Sequence, residues 1–278
     1  MRNASDDLSE SPDQLEHRLA GVILPRGHIL TAYSGGVDST LVAAVARRTL
    51  ERDNAPAVIG DSASLPRREL EEARAIARQL DLNLIEINPG EQGDAEYRAN
   101  APDRCYHCKS HLYDSVHKLA AEMRIPWIAN GTNADDLSDH RPGLRAASES
   151  NVISPLLEAG MNKQQVRLLA RHLNLPNADK PAAACLASRI PYGTSVTPER
   201  LSAIERAEDS LHELGFTGFR VRHHETVARI ELPPDQWDKM LDATTRASVL
   251  EQLRAIGYTH ITLDLAGFRS GSGNLMLK

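Results

Sequence analysis

An α/β architecture, a parallel sheet with crossover helices followed by a second, smaller α+β domain, is predicted by three features of the sequence. Short apolar runs alternate with helix-length periodic stretches over roughly the first 180 residues, and a glycine-rich turn, Ser34-Gly35-Gly36, joins the first run to the first long helix. The segment 180–196 then breaks the rhythm with Pro181, Pro191 and a small-residue run ahead of Cys185. Alternation of this kind favours parallel pairing, because parallel neighbours need a long crossover between them.

Taken in order, residues 1–12 read as a flexible tail and 14–23 as a short amphipathic helix. The run 28–33 is a strand entering the glycine turn, and 39–52 is the helix that leaves it. A buried strand over 57–60, a helix over 67–80 opened by Pro66, and a strand over 82–87 complete strand, helix, strand, helix, strand. A helix over 106–123, strands over 127–130 and 152–154, and a helix over 163–173 extend the same layer. The first domain is thus expected over 13–179, a cysteine-bearing linker over 180–196, and a small α+β domain over 197–278. The last contains a helix over 198–214, strands over 219–223 and 227–232, a single helix over 235–256 and a strand over 260–265.

With 278 residues, 41% hydrophobic and 25% charged, the chain has the composition of a folded globular protein. It contains no apolar run near the ~20 residues that cross a bilayer, and its first twenty residues are acidic and polar, which predicts no membrane association and a cytoplasmic setting. A net charge of -6 argues against a broad nucleic-acid-binding face. Three cysteines, Cys105, Cys108 and Cys185, point to chemistry or metal binding rather than a disulfide framework.

In Ser34-Gly35-Gly36-Val37-Asp38-Ser39, glycines let the backbone approach a phosphate, amides at a helix N-terminus bind it, and serine hydroxyls add donors. Asp38 would repel bare phosphate, so its presence points to a magnesium ion. The alternative is an ordinary glycine-rich turn with a serine cap. The hexapeptide lacks the lysine of the GK[ST] pattern. It resembles the pyrophosphatase loop, or PP-loop, of the family that includes GMP synthetases, NAD synthetases, argininosuccinate synthetases and tRNA thiolation enzymes. That resemblance implies an adenine nucleotide alpha-hydrolase-like fold and ATP cleavage between the α and β phosphates, with adenylylation of the substrate.

In Arg104-Cys105-Tyr106-His107-Cys108-Lys109 two thiols three positions apart at a helix start face the same way. With Cys185, three thiolates leave a fourth coordination position open, on a zinc ion or on one iron of a 4Fe-4S cluster. A zinc site completed by His107 or His111, a redox pair, or an inert Cys185 remain open on these residues alone. Lys180 and Arg189 favour a thiolate at Cys185 electrostatically.

Several motifs together resemble the LarE-type ATP-dependent sulfur transferases: the PP-loop; Asp61-Ser62 with Leu65-Pro66-Arg67-Arg68-Glu69-Leu70; the Cys105–Cys108 segment; Gly131-Thr132-Asn133-Ala134-Asp135-Asp136; Arg141-Pro142-Gly143-Leu144; and Cys185-Leu186-Ala187-Ser188-Arg189-Ile190-Pro191-Tyr192-Gly193. The last is the most specific. The resemblance runs from about residue 28 to the C-terminus. It implies a pyridinium dicarboxylate mononucleotide as acceptor, whose carboxylates become thiocarboxylates. Some members sacrifice the cysteine matching Cys185, while three-cysteine members use a 4Fe-4S cluster that is recharged with sulfide. Arg220, Arg222, Glu231 and Glu208 match the family's substrate cluster, and the tail Gly271-Ser272-Gly273-Asn274 matches it loosely. Arg220 and Arg222 also share one face of a strand, suited to a phosphate, although a solvated strand face balanced by Glu231 would look the same. The family implies a homo-oligomer, and the acidic balance disfavours a tRNA substrate.

Overall fold

The computed structural model describes residues 10–138, 146–147, 149–181 and 183–269. The expected motif at Arg141–Leu144 and the tail 271–274 lie outside the described residues, as do Ala182 and residues 1–9 of the expected tail. Two compact units are present. One comprises Met1–Ser62, Arg67–Glu91 and Tyr106–Ala183; the other comprises Ala63–Pro66, Gln92–Cys105 and Ala184–Lys278.

In the first unit, β1 (Ile29–Ala32), β2 (Ala57–Gly60), β3 (Leu84–Ile87) and β4 (Trp127–Ala129) form a parallel sheet in the order β3-β2-β1-β4. Thr31 pairs with Ala57, and Ile29 with Trp127. The expected strand at 152–154 contributes a single parallel bridge, Ile153 to Ala129. Helices α1 (Pro12–Ile23), α2 (Val37–Thr49), α3 (Arg67–Gln79), α5 (Arg104–Glu122), α6 (Pro155–Glu158) and α7 (Lys163–His172) accompany the sheet. α1 starts two residues earlier than its apolar pattern suggests, because Ser11 and Gln14 close a capping box and Pro12 occupies the first turn.

Successive residues of β1 point to opposite faces. Ile29 joins a core made by Leu15 and Leu19 of α1, Leu41, Val42 and Val45 of α2, and Val166 and Leu169 of α7. Leu30 joins Val58, Val116 and Ala120, the last two on α5. The sheet is therefore covered on both faces, as parallel sheets are.

The second unit holds α4 (Ala95–Ala99), a 3-10 turn at Leu186–Arg189, α8 (Pro198–Glu213) and a sheet of β5 (Arg220–His224), β6 (Val227–Glu231) and β7 (His260–Leu263). β5 and β6 are antiparallel, β6 and β7 parallel. Ala207, Leu211, Phe216, Val221, Ile230 and Leu253 belong to its core. The single helix expected over 235–256 is instead two, α9 (Trp237–Leu241) and α10 (Ala243–Ile256). Asp242 separates them: its carboxylate accepts from the amides of Thr244 at 3.1 Å and Thr245 at 3.0 Å, starting a new helix at extended backbone angles. Among the described residues no helix is long and apolar enough to cross a membrane.

Candidate active site

The strand order makes a switch point between β1 and β4, since the chain runs from β1 through β2 to β3 on one side and returns to β4 on the other. Open α/β sheets bind ligands beyond the carboxyl ends of the strands at such a point. Two conspicuous loops begin there. β1 leads into Ser34-Gly35-Gly36, and Gly35 has φ +73°, with Ala73 so near that an added Cβ would lie 2.8 Å from the alanine's own. The Ser34 amide donates to Ser39 Oγ at 3.0 Å, and that hydroxyl donates to the Gly36 carbonyl at 3.1 Å. Asn177, 2% exposed, donates to the Gly35 carbonyl at 2.8 Å and to Thr40 Oγ1 at 2.9 Å. Loop carbonyls are thus engaged from within, and α2 begins on Gly36 without a side-chain cap. Its first-turn amides remain available to an anion.

The second loop follows β4. Gly131 runs so close to α2 that a Cβ there would stand 2.6 Å from the Ser39 nitrogen. This approach brings Asn133 Nδ2 to 3.2 Å from Asp38 Oδ1. The other Asp38 oxygen accepts from Lys163 Nζ, and the Lys163 amide donates to Asp135 Oδ2 at 2.9 Å. Each Asp38 oxygen keeps a second lone pair, so the group can still take a magnesium ion beside its protein partners.

Cys105 is exposed on the first turn of α5, while Cys108, one turn further on, and Cys185, just before the 3-10 turn, are half-buried. The three thiols form no disulfide. Arg104, 4% exposed, donates through Nη1 to Asn100 Oδ1 at 2.6 Å and to the Ala187 carbonyl at 2.8 Å. Arg189 donates to the carbonyls of Ala184 at 2.7 Å and Cys185 at 3.1 Å. Arg222 donates to the Ser188 carbonyl at 2.6 Å, and the Leu186 amide donates to the Ser64 carbonyl at 2.8 Å.

The sequence pattern of the NAD synthase family matches residues 23–103. An uncharacterized protein of Synechocystis is 42% identical over 89% of this chain and 92% of its own. The pyridinium-3,5-bisthiocarboxylic acid mononucleotide synthase of Lactiplantibacillus plantarum is 38% identical over 88% of each chain. The chain belongs to the LarE-type family of ATP-dependent sulfur transferases. A glutamine-hydrolyzing GMP synthase chain of Saccharolobus islandicus is 27% identical over 65% of this chain and 53% of its own, a more distant likeness.

This LarE-type chain gathers Arg220, Arg222, Glu231 and Glu208 with Arg189 in its second unit. Arg189 pairs with Glu208 through two bonds, Nε to Oε1 at 3.0 Å and Nη2 to Oε2 at 3.2 Å, and Glu208 also accepts from the Val221 amide. Arg222 pairs with Glu231 at 3.0 Å, with side chains 5% and 1% exposed. Arg220 differs. It is half-buried, lies 4.9 Å above the Phe268 ring, and makes no hydrogen bond or ion pair among the described residues. Burial first, then the charges of Arg189 and Arg222, push its pKa down against the opposing carboxylates of Glu231 and Glu208.

Sequence reasoning missed Lys163, although a signal existed: a lysine in the first turn of a helix opposes the macrodipole and needs a reason to be there. It also missed Arg104, Asn100 and Asn177 as structural partners. Lys180, expected to act on Cys185, has its amine between Glu69 at 2.7 Å and Glu72 at 2.8 Å.

Proposed function

We propose that the chain uses ATP to adenylylate a carboxylate of a pyridinium dicarboxylate mononucleotide and then replaces AMP with sulfur. One observation carries the reading: a lysine-free phosphate loop at the switch point, with Asp38 bonded to both Lys163 and Asn133. The acceptor carboxylate attacks the α phosphorus, the bond to the β phosphate oxygen breaks, and pyrophosphate leaves. Amides at the start of α2 and the Lys163 ammonium hold its charge, and Asp38 would hold a magnesium ion, which would neutralise charge on the phosphate oxygens. A sulfur nucleophile then attacks the acyl carbon and AMP departs.

Arg220 is the phosphate-facing cation for the acceptor, and the Arg189–Glu208 and Arg222–Glu231 pairs keep the strand face rigid around it. In this division of labour residues 13–179 handle ATP, 197–278 handle the acceptor, and 180–196 carry a sulfur ligand. Cys105, Cys108 and Cys185 would supply an all-sulfur donor set suited to a 4Fe-4S cluster. Such a cluster supplies an iron with no protein ligand, where sulfide can be carried. The second reading keeps the adenylylation but lets Cys185 give up its own sulfur. The acidic balance and the relatives named above favour both over a tRNA substrate. A cytoplasmic setting, where thiols stay reduced, and a homo-oligomeric state belong to the same proposal, and light scattering tests the latter.

Product analysis tests the first step. AMP and pyrophosphate, dependent on magnesium, are expected, and ADP with orthophosphate would overturn it. Asp38→Asn is expected to slow ATP cleavage by about tenfold or more while leaving acceptor binding intact. Equal losses in both would remove Asp38 from the role.

A further inference from the structure

Three buried arginines grip the Cys185 loop by its carbonyls, and two of them have carboxylate partners, Glu208 for Arg189 and Glu231 for Arg222. Arg104 has none among the described residues. A buried cation without an anion is costly, so something near it must supply negative charge. Its Nη2 lies 3.9 Å from Cys105 Sγ, and its guanidinium sits 5.9 Å from the centre of the Tyr192 ring.

Behind Arg104 stands Asn100, fully buried and in the left-handed conformation at φ 55°. Its Oδ1 orients the guanidinium at 2.6 Å. Its Nδ2 donates to the carbonyls of Pro191 and Thr194, both at 2.8 Å, and its own carbonyl accepts from the Gly193 amide at 3.0 Å. Arg104 and Asn100 together therefore reach the loop at Ala187, Pro191, Gly193 and Thr194. A neutral donor could satisfy the Ala187 carbonyl equally well. The contact to the Cys105 sulfur is where a positive charge, rather than a donor alone, acts.

We propose that Arg104, oriented by Asn100, is a positioning residue for sulfur transfer: it fixes the loop after Cys185 by the Ala187 carbonyl and sets one buried positive charge beside the sulfur of Cys105. The proposal rests on the sulfur-transferase reading above. It separates two jobs that substitution can split. Lysine keeps the charge but has no planar fork with which to bridge Asn100 and Ala187; glutamine keeps a donor and loses the charge.

Arg104→Gln and Arg104→Lys, made in the full chain and reconstituted with iron and sulfide under anaerobic conditions, test this after circular dichroism has checked their folding. Arg104→Gln is expected to keep acceptor-dependent ATP–pyrophosphate exchange within about twofold, yet lose about tenfold or more in kcat for sulfur transfer at unchanged KM. The midpoint potential of its cluster should move to more negative values, because a nearby cation favours the reduced, more negative form. Arg104→Lys should recover the potential without recovering kcat. Where Arg104→Gln does not fold, Arg104→Lys carries the kcat comparison alone. A wild-type potential and transfer rate in Arg104→Gln would overturn the proposal, as would exchange and transfer falling by the same factor. If the wild-type chain binds no iron, the cluster part of the proposed function fails instead. The ratio of exchange to transfer, read in a single turnover as mass lost from Cys185, then decides on Arg104.

Discussion

Arg220 and Arg222 stand two positions apart on one face of β5, and the period of a strand was enough to group them from sequence. Their partners separate them. Arg222 is 4% exposed and joined to Glu231 and the Ser188 carbonyl, whereas Arg220, among the described residues, makes no hydrogen bond and lies against the Phe268 ring. If Arg220 holds the acceptor phosphate as proposed, Arg220→Ala is expected to weaken acceptor binding by about ten- to a hundredfold with little change in Tm. Arg222→Ala should instead destabilise the fold by about 1.5–3 kcal/mol, because Glu231 loses a buried charged hydrogen bond and keeps Arg229 at 3.3 Å. Calorimetric binding and thermal melts distinguish the two, and unchanged affinity in Arg220→Ala would move the phosphate site elsewhere. The sequence could not have ranked the pair. Glu231 faces Arg220 in the β5–β6 register, yet it is Arg222 that bonds it, from the diagonal, and Arg222 takes its other partner, the Ser188 carbonyl, from a turn more than thirty residues away.

Between elements, the contact that organises the ATP end is the passage of Gly131 over the start of α2. Gly131→Ala puts a methyl 2.6 Å from the Ser39 nitrogen, a backbone atom that cannot step aside. Relieving the overlap should cost about 1–3 kcal/mol and displace Asn133 from Asp38, so KM for ATP is expected to rise about tenfold while acceptor affinity holds. The glycine-rich turn was legible because strand, turn and helix adjoin in sequence. The break at Asp242 was not, since apolar spacing continues across it and only the aspartate's bonds to two amides reveal it. β5 also carries a pH response. Burial lowers the pKa of His223 and of its neighbour His224, with Arg200 and Arg229 respectively reinforcing it. Above the unfolded value of about 6.5 both states hold the same protons; below it the unfolded chain binds more, so stability falls as pH drops through that range. Tm measured between pH 7 and 5 should therefore decline. In His223→Gln, which can keep a bond to the Tyr258 hydroxyl at the 3.0 Å position, the slope should flatten.

For the whole chain, the decisive question is whether the enzyme survives its own reaction. With sulfide supplied, the cluster reading predicts many turnovers, loss of transfer in each of Cys105→Ala, Cys108→Ala and Cys185→Ala, and no change in intact mass. Stoichiometric loss of hydrogen sulfide at Cys185, with the other two variants active, would establish the sacrificial route and leave the adenylylation reading standing. Either way, the fold that presents these cysteines is interleaved: the polypeptide passes between its two compact units after Ser62, Pro66, Glu91, Cys105 and Ala183. Periodicity along the sequence could suggest two domains in series, but it could not reveal that short stretches near 63–66 and 92–105 pack with residues far downstream. Genetic exchange meets that arrangement directly. A recombination event that replaced residues 197–278 with those of a relative would part Glu208 from Arg189 and Arg222 from the Ser188 carbonyl. The segment 197–278 therefore does not travel as a cassette, and under the proposed role of β5 new acceptor preferences are expected to accumulate by point substitution on its strand face rather than by the shuffling of gene segments.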